Sequence, residues 1–220
     1  MTPTGKSATP GTTKPIARIY LVRHGETQEN RDGVIQGQMD TMLNEMGQEQ
    51  ARKVGERFRE VKIDRLFSSD LKRARRTAEE ILAYHPEVLL EEQPALRERV
   101  GCFAEGSLMM ATDPTVETHV DFGARVVGWW NQQILGHILS KSKNLPTTVV
   151  VTTHGGFITT LVRELIGSRK AECGDGVIVW KCFNSSVSVI EVGENRRGTV
   201  VSFGDVSHLN VADIALHSIH

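Results

Sequence analysis

IYLVRHGETQEN, residues 19–30, starts as a buried strand and turns polar within two residues. Ile19, Tyr20, Leu21 and Val22 are apolar without alternation, the pattern of a strand covered on both faces. Arg23 and His24 follow, two side chains that are costly to bury without partners, and then Gly25. A second stretch, TTVVVTTHGG over 147–156, has the same plan. Val149 to Val151 centre a buried strand, and His154, Gly155 and Gly156 come directly after it.

Between and around these strands the elements alternate. A strand is predicted over 17–22. A helix begins at Asn44, a good N-cap, and runs to about Val61, with Met46, Ala51, Val54 and Phe58 as its apolar stripe. DRLFSS reads as a short strand. Ser69 or Asp70 can cap the helix LKRARRTAEEILAYH, which stops before Pro86. EVLLEE reads as a strand, 97–116 as irregular and 117–142 as a long helix. A further helix covers Gly156 to about Ile166, and VIVWKCF, SVSVIEV and TVVSFG read as closing strands. Strands alternating with helices imply one α/β domain with a largely parallel, two-sided sheet. In such sheets sites form at the carboxyl ends of strands. The domain is placed at 16–209, between a Thr/Pro/Gly/Ser-rich tail over 1–15, expected to be disordered, and a short C-terminal tail over 210–220.

Composition narrows the partners. The 26 basic and 27 acidic residues leave a formal net charge of −1, so neither nucleic-acid nor membrane-surface binding is expected. No apolar run approaches a membrane span. The N-terminal residues lack the apolar segment of a secretory signal. Cys102, Cys173 and Cys182 are odd in number and have no metal-ligand spacing, which points to a reducing, cytoplasmic setting.

If the two histidine-ending strands are parallel neighbours, both imidazoles project into one crevice. A lone strand-end histidine is usually structural; two in matching context reverse that reading. Glycine after each permits a tight turn or close approach of a ligand. Lys72, Arg73, Arg75 and Arg76 open the helix after LFSSD. Most of these four belong to a solvated face. One inward-pointing arginine among them would join Arg23 and the two histidines, with a helix N-terminus following each His turn. Such a cluster is an anion site that suits a phosphoryl group.

LVRHGETQEN, LFSSDLKRARRTAEEI, LRERVGCFAEG and VVVTTHGG resemble, in order, the four signature blocks of the histidine phosphatase superfamily, the phosphoglycerate-mutase-like family. The match runs from about residue 17 to 205. The resemblance implies a three-layer α/β/α sandwich and a phosphohistidine mechanism. It assigns the nucleophile to His24, phosphate contacts to Arg23, Asn30 and Arg73, the matching second histidine to His154 and the general acid to Glu98. Gln36 and the Gly37 backbone occupy a stretch that usually faces substrate. No metal or other cofactor is expected, because two arginines neutralise the phosphate.

The chemistry agrees with these roles. A phosphomonoester carries about −1.5 to −2 charges near neutral pH, so a neutral imidazole is a better nucleophile than an anion. A backbone carbonyl on its other ring nitrogen would fix the tautomer. Glu98 has to deliver a proton to the leaving oxygen and then activate water. Alternatives stand beside these roles. Glu98, between Arg97 and Arg99, also reads as a surface ion-pair partner, and Asn30 as a turn cap. Trp129 and Trp130 read as core. His85, His119, His137, His208, His217 and His220 read as surface or fold residues, and Glu117 and Asp121 as caps of the long helix.

One departure stands out: the family usually has its glycine one position later than Gly101, where this chain has Cys102. The mutase branch carries FTGWxD where this chain has IQGQMD, so the blocks side with the phosphatases. The expected partner is a small phosphorylated metabolite, with sugar phosphates among the candidates. A mutase, a non-catalytic phospholigand-binding module and a homodimeric assembly stay open.

Overall fold

The computed structural model describes residues 14–100, 103–104, 107–108, 116–138 and 146–210. Nine strands occur there: β1 (Pro15–Arg23), β2 (Arg65–Ser68), β3 (Leu90–Glu92), β4 (Phe103–Ala104), β5 (Ser107–Leu108), β6 (Thr147–Thr153), β7 (Ala171–Cys173), β8 (Val187–Gly193) and β9 (Gly198–Asp205). The helices are α1 (Gln28–Arg31), α2 (Glu45–Phe58), α3 (Lys72–Leu82), α4 (His119–Trp129) and α5 (Gly155–Gly167), with a 3₁₀ turn at Pro94–Leu96. Seven strands form one sheet in the order β3-β2-β6-β1-β8-β9-β7. All its pairings are parallel except β1 with β8 and β8 with β9. Only β8 therefore runs against the rest, so the sheet is mostly parallel as expected. β4 and β5 pair as a small separate hairpin.

The unalternating apolar runs follow from burial on both faces. Tyr20 and Val22 of β1 and Val150 of β6 pack with Val54 and Phe58 of α2 and Ile81 of α3. The residues between them, Ile19, Leu21, Val149 and Val151, pack on the other face with Phe122 and Val126 of α4 and Phe157 and Leu161 of α5. Two helical layers thus enclose the sheet, giving the three-layer sandwich. Trp129 and Trp130 belong to this core, and Trp129 meets Phe67 and Phe157 edge-to-face.

Several boundaries differ from the sequence reading. The helix over 117–142 is α-helical only to Trp129 and continues as a π-helix over Trp130–Ile138. Its N-cap is Thr118, whose Oγ accepts from the Asp121 N–H, while Glu117 pairs with Arg125. Residues 177–183, expected as a strand, run alongside the sheet without pairing; the edge position is filled by β7, which pairs with β9 instead. The stretch 97–116 contains the β4–β5 hairpin. Neither Ser69 nor Asp70 is the N-cap of α3. That position is Leu71, and the open Lys72 N–H is met from outside by Asp40 Oδ1 at 2.8 Å. Asp70 instead pairs with Arg97. The tails over 1–13 and 211–220, and the Gly101/Cys102 departure, lie outside the described residues.

Candidate active site

The register of the two central strands creates the site. β1 and β6 pair in parallel with Arg23 opposite Thr153, and the His24 N–H donates to the Thr153 carbonyl at 2.9 Å. Both strands therefore release their histidines at one sheet edge, with ring centroids 5.2 Å apart. His24 Nδ1 lies 2.7 Å from the Gly25 carbonyl. A carbonyl can only accept, so Nδ1 carries the proton and Nε2 keeps its lone pair. Arg73 Nε donates to that Nε2 at 3.3 Å. Burial, and then the positive charges of Arg73 and Arg23, hold His24 well below the ordinary imidazole pKa. The imidazole is neutral at pH 7.

His154 is buried as well and its pKa is also shifted down, first by desolvation and then by Arg73, His24 and Arg23. Its Nε2 meets Ser69 Oγ at 2.9 Å. Its Nδ1 is buried with no hydrogen-bond partner among the described residues, and so is Arg23 Nε.

Arg73 is the inward arginine: it is 1% exposed, while Lys72, Arg75 and Arg76 pair with carboxylates at the surface. It donates to the Gly37 carbonyl at 2.9 Å and to the Met39 carbonyl. Arg23 donates to the Cys182 carbonyl at 2.7 Å. Neither guanidinium is in a salt bridge among the described residues. Desolvation lowers both, Arg73 to about 10. Two buried cations held by neutral carbonyls are costly without a counter-anion.

Glu98 lies on the opposite wall. Its Oε2 accepts from the Gly156 N–H and its Oε1 from the Arg99 N–H, each at 2.8 Å. Arg97 is occupied with Asp70, so the carboxylate is not the surface ion-pair partner that its two flanking arginines suggested. The first turn of α5 therefore holds a protein carboxylate. A Cβ on Gly156 would come within 2.3 Å of Glu98 Oε1, which explains the second glycine of HGG. Gly25 has a different reason. A Cβ there would lie 2.4 Å from the Gly47 carbonyl oxygen, so this glycine admits α2 rather than a ligand. After His24 comes only the four-residue α1, capped by Thr27.

Asn30 does cap that turn, in a reciprocal capping box with Thr27. It also lines the cavity. Its Oδ1 accepts from the Thr27 N–H and from Asn184 Nδ2 at 3.0 Å, which leaves its amide NH₂ for the cavity. Gln36 and Gly37 line the cavity as well, although the Gly37 carbonyl is turned to Arg73 and Gln36 Oε1 to Thr41.

Arg23, His24, Asn30, Gln36, Gly37, Arg73 and Glu98 share an open cavity of about 770 Å³, whose lining extends to Arg99, His119, Arg163, Trp180 and Lys181; His154, its ring 5.2 Å from that of His24, is not among the lining residues. The sequence reading did not single out this outer set, and it placed His119 among residues without a role at the site. It noted the asparagine of CFNSSVSVIEV without giving Asn184 a role at the site, yet that amide donates to the His24 and Gly25 carbonyls as well as to Asn30. An asparagine at the head of NSSVSVIEV was the available signal. Among the described residues no group of His, Cys, Asp or Glu could hold a metal ion, and no helix is long and apolar enough to cross a membrane.

Residues 19–108 match the family model described as histidine phosphatase superfamily, branch 1. A probable phosphatase of Schizosaccharomyces pombe is 32% identical over 209 residues, covering 87% of this chain and 95% of its own. A metal-independent phosphoserine phosphatase of Arabidopsis thaliana is 32% identical over 213 residues, covering 89% of this chain and 84% of its own. Among solved structures, a phosphoglycerate mutase from Bacillus anthracis superposes with a TM-score of 0.71 at 26% identity, covering 87% of this chain and 94% of that one.

Proposed function

This chain belongs to the histidine phosphatase superfamily, and from that premise we propose that it hydrolyses phosphomonoesters of small metabolites through a phosphohistidine on His24, without a metal. The observation that carries the reading is the state of His24. Its Nδ1–H is locked on the Gly25 carbonyl, and its Nε2 lone pair accepts from Arg73, which with Arg23 lines the cavity as a pair of buried guanidiniums that have no carboxylate partner among the described residues. The names of the relatives, both phosphatases, support the same class.

The steps follow from the residues. A phosphoryl group entering between Arg23 and Arg73 takes over the donation that Arg73 Nε now makes to His24. Arg23 Nε, a His154 Nδ1–H and the Asn30 amide supply further donors to its oxygens. His24 Nε2 then attacks phosphorus in line, forming the N–P bond as the P–O bond to the leaving group breaks. Glu98 gives its proton to that leaving oxygen. In the second half, the Glu98 carboxylate takes a proton from water, whose oxygen attacks phosphorus. The N–P bond breaks, its electron pair returns to Nε2, and inorganic phosphate departs. Each prearranged donor is worth ~10²–10³ in rate.

Phosphate release from p-nitrophenyl phosphate and a panel of metabolite phosphoesters, with chelator present, tests the reading. Release from the parent protein that His24→Ala abolishes, with the far-ultraviolet spectrum unchanged, is the expected result. Release that survives the substitution overturns the phosphohistidine route. Conversion of 3-phosphoglycerate to 2-phosphoglycerate without net release would make the protein a mutase.

A further inference from the structure

Beyond the phosphoryl cradle, the cavity holds cations that one phosphate does not account for. Among the described residues Arg23, Arg73, Arg99, Arg163 and Lys181 all line it, against the one carboxylate of Glu98. A phosphomonoester brings about −1.5 to −2 charges, which Arg23 and Arg73 already match. Three positive side chains are left, in a protein whose formal net charge is −1. None of Arg99, Arg163 or Lys181 forms a salt bridge among the described residues, whereas Lys72, Arg75 and Arg76 on the outer face of α3 are all paired.

Their placement is specific. Arg163 lies on α5 one or two turns beyond Gly156, Thr159 and Thr160, the stripe of that helix that lines the cavity. Lys181 directly precedes Cys182, whose carbonyl holds Arg23. Lys181 is partly desolvated and close enough to feel the charge of Arg23, both of which lower its pKa. Lys181 Nζ lies over the Phe183 ring, 4.7 Å from its centroid, a neutral partner that leaves the repulsion from the buried arginine uncompensated, and an anion beside the two would offset it.

We infer that the leaving group of the physiological substrate carries an anion of its own, a carboxylate or a second phosphate, bound by Arg163 and Lys181 with Arg99 beside the acid. This rests on the phosphatase reading and narrows it: a neutral sugar monophosphate leaves the outer cations unmatched, whereas a doubly anionic metabolite fills both halves of the cavity.

Matched substrate pairs test the inference. 3-Phosphoglycerate and glycerol 3-phosphate differ by a carboxylate; fructose 1,6-bisphosphate and fructose 6-phosphate differ by a phosphate. One of the two pairs is expected to favour its doubly anionic member by ~10–100-fold in kcat/KM, the scale of a charge-assisted contact, and that pair identifies the second anion. Arg163→Gln and Lys181→Met should each shrink the preference at least fivefold, and Arg163→Lys should keep part of it. A panel in which p-nitrophenyl phosphate is hydrolysed but both pairs are within about threefold overturns the second anion site and leaves the phosphatase standing. So does a preference that neither substitution alters. No hydrolysis of any ester overturns the phosphatase and this inference together.

Discussion

At the scale of single residues, the site depends on contacts that no side chain makes alone. Gly156 leaves the space that the Glu98 carboxylate fills, and the added Cβ of Gly156→Ala would displace the end of a flexible side chain rather than backbone. Stability should therefore change little, while turnover of esters with poor leaving groups should fall by ~10²-fold or more, since these need the acid most. Release from p-nitrophenyl phosphate should fall far less; equal losses on the two substrates would remove Glu98 from the acid role. Asn184 acts one step further back. Its amide holds the carbonyl that fixes the His24 tautomer and the oxygen that orients Asn30. Asn184→Ala is expected to lower kcat by about tenfold with a smaller change in KM, and Asn184→Asp more, because a carboxylate facing three acceptors repels them all. A loss of thermal stability from Asn184→Ala with kcat unchanged would mark it as merely structural.

At the scale of elements, helix α2 is tied to the loop after β1 through backbone. Gly47 lies in its first turn, and a Cβ there would come within 1.9 Å of the Glu26 carbonyl oxygen; Gly25 meets the Gly47 carbonyl from the other side. The Asn44 side chain caps this helix and also donates to Glu26, a buried carboxylate that Arg31 pairs as well. Alanine is a better helix former than glycine by about 1 kcal/mol, but here the clash is with fixed backbone. Gly47→Ala should cost about 3 kcal/mol, lowering Tm by ~6–12 °C in a domain of this size. A melting temperature equal to or above that of the parent would show that helix propensity governs the position. Helix α3 depends on another segment in a comparable way, since Asp40 closes its N-terminus and Arg73 grips the carbonyls of residues 37 and 39. The loop that borders the cavity is thus held by the same helix that supplies its arginine.

At the scale of the whole molecule, burying two neutral imidazoles makes stability pH-dependent. His24 and His154 have folded pKa values well below their ordinary value, so below about pH 6.5 the unfolded chain binds protons that the folded chain refuses. Stability is then full above that pH and lost on acidification, with a slope approaching about 1.4 kcal/mol per pH unit for each group. Denaturant titrations between pH 7.5 and 5.5 in phosphate-free buffer should show the loss, and the double variant His24→Gln/His154→Gln should remove most of it, leaving the share of His208, whose pKa burial and then Arg57 lower to about 4. A profile equally steep in that variant would assign the effect to other groups.

Much of this was legible in the chain. Apolar runs without alternation identify two-sided strands, because each face of a parallel sheet must be covered, and Ile19–Val22 and Val149–Val151 are such runs. The repeated His-Gly at their ends, with an arginine-rich helix start, pointed to the candidate site at that sheet edge. Periodicity could not tell that residues 177–183 do not pair while Ala171–Cys173 does, since edge pairing depends on what else competes for β9. Nor could it supply the partner of a glycine. Gly25 and Gly156 look alike in sequence, yet one admits a helix and the other a carboxylate. The sequence by itself determined the α/β class and the strand-end placing of Arg23, His24 and His154, because these rest on local pattern and chemical type; Arg73, Asn30 and Glu98 were named by the family resemblance. The tautomer of His24, the seat of Glu98 and the outer ring of cations were decided only by the tertiary structure, because each depends on side chains far apart in the chain sharing one desolvated space.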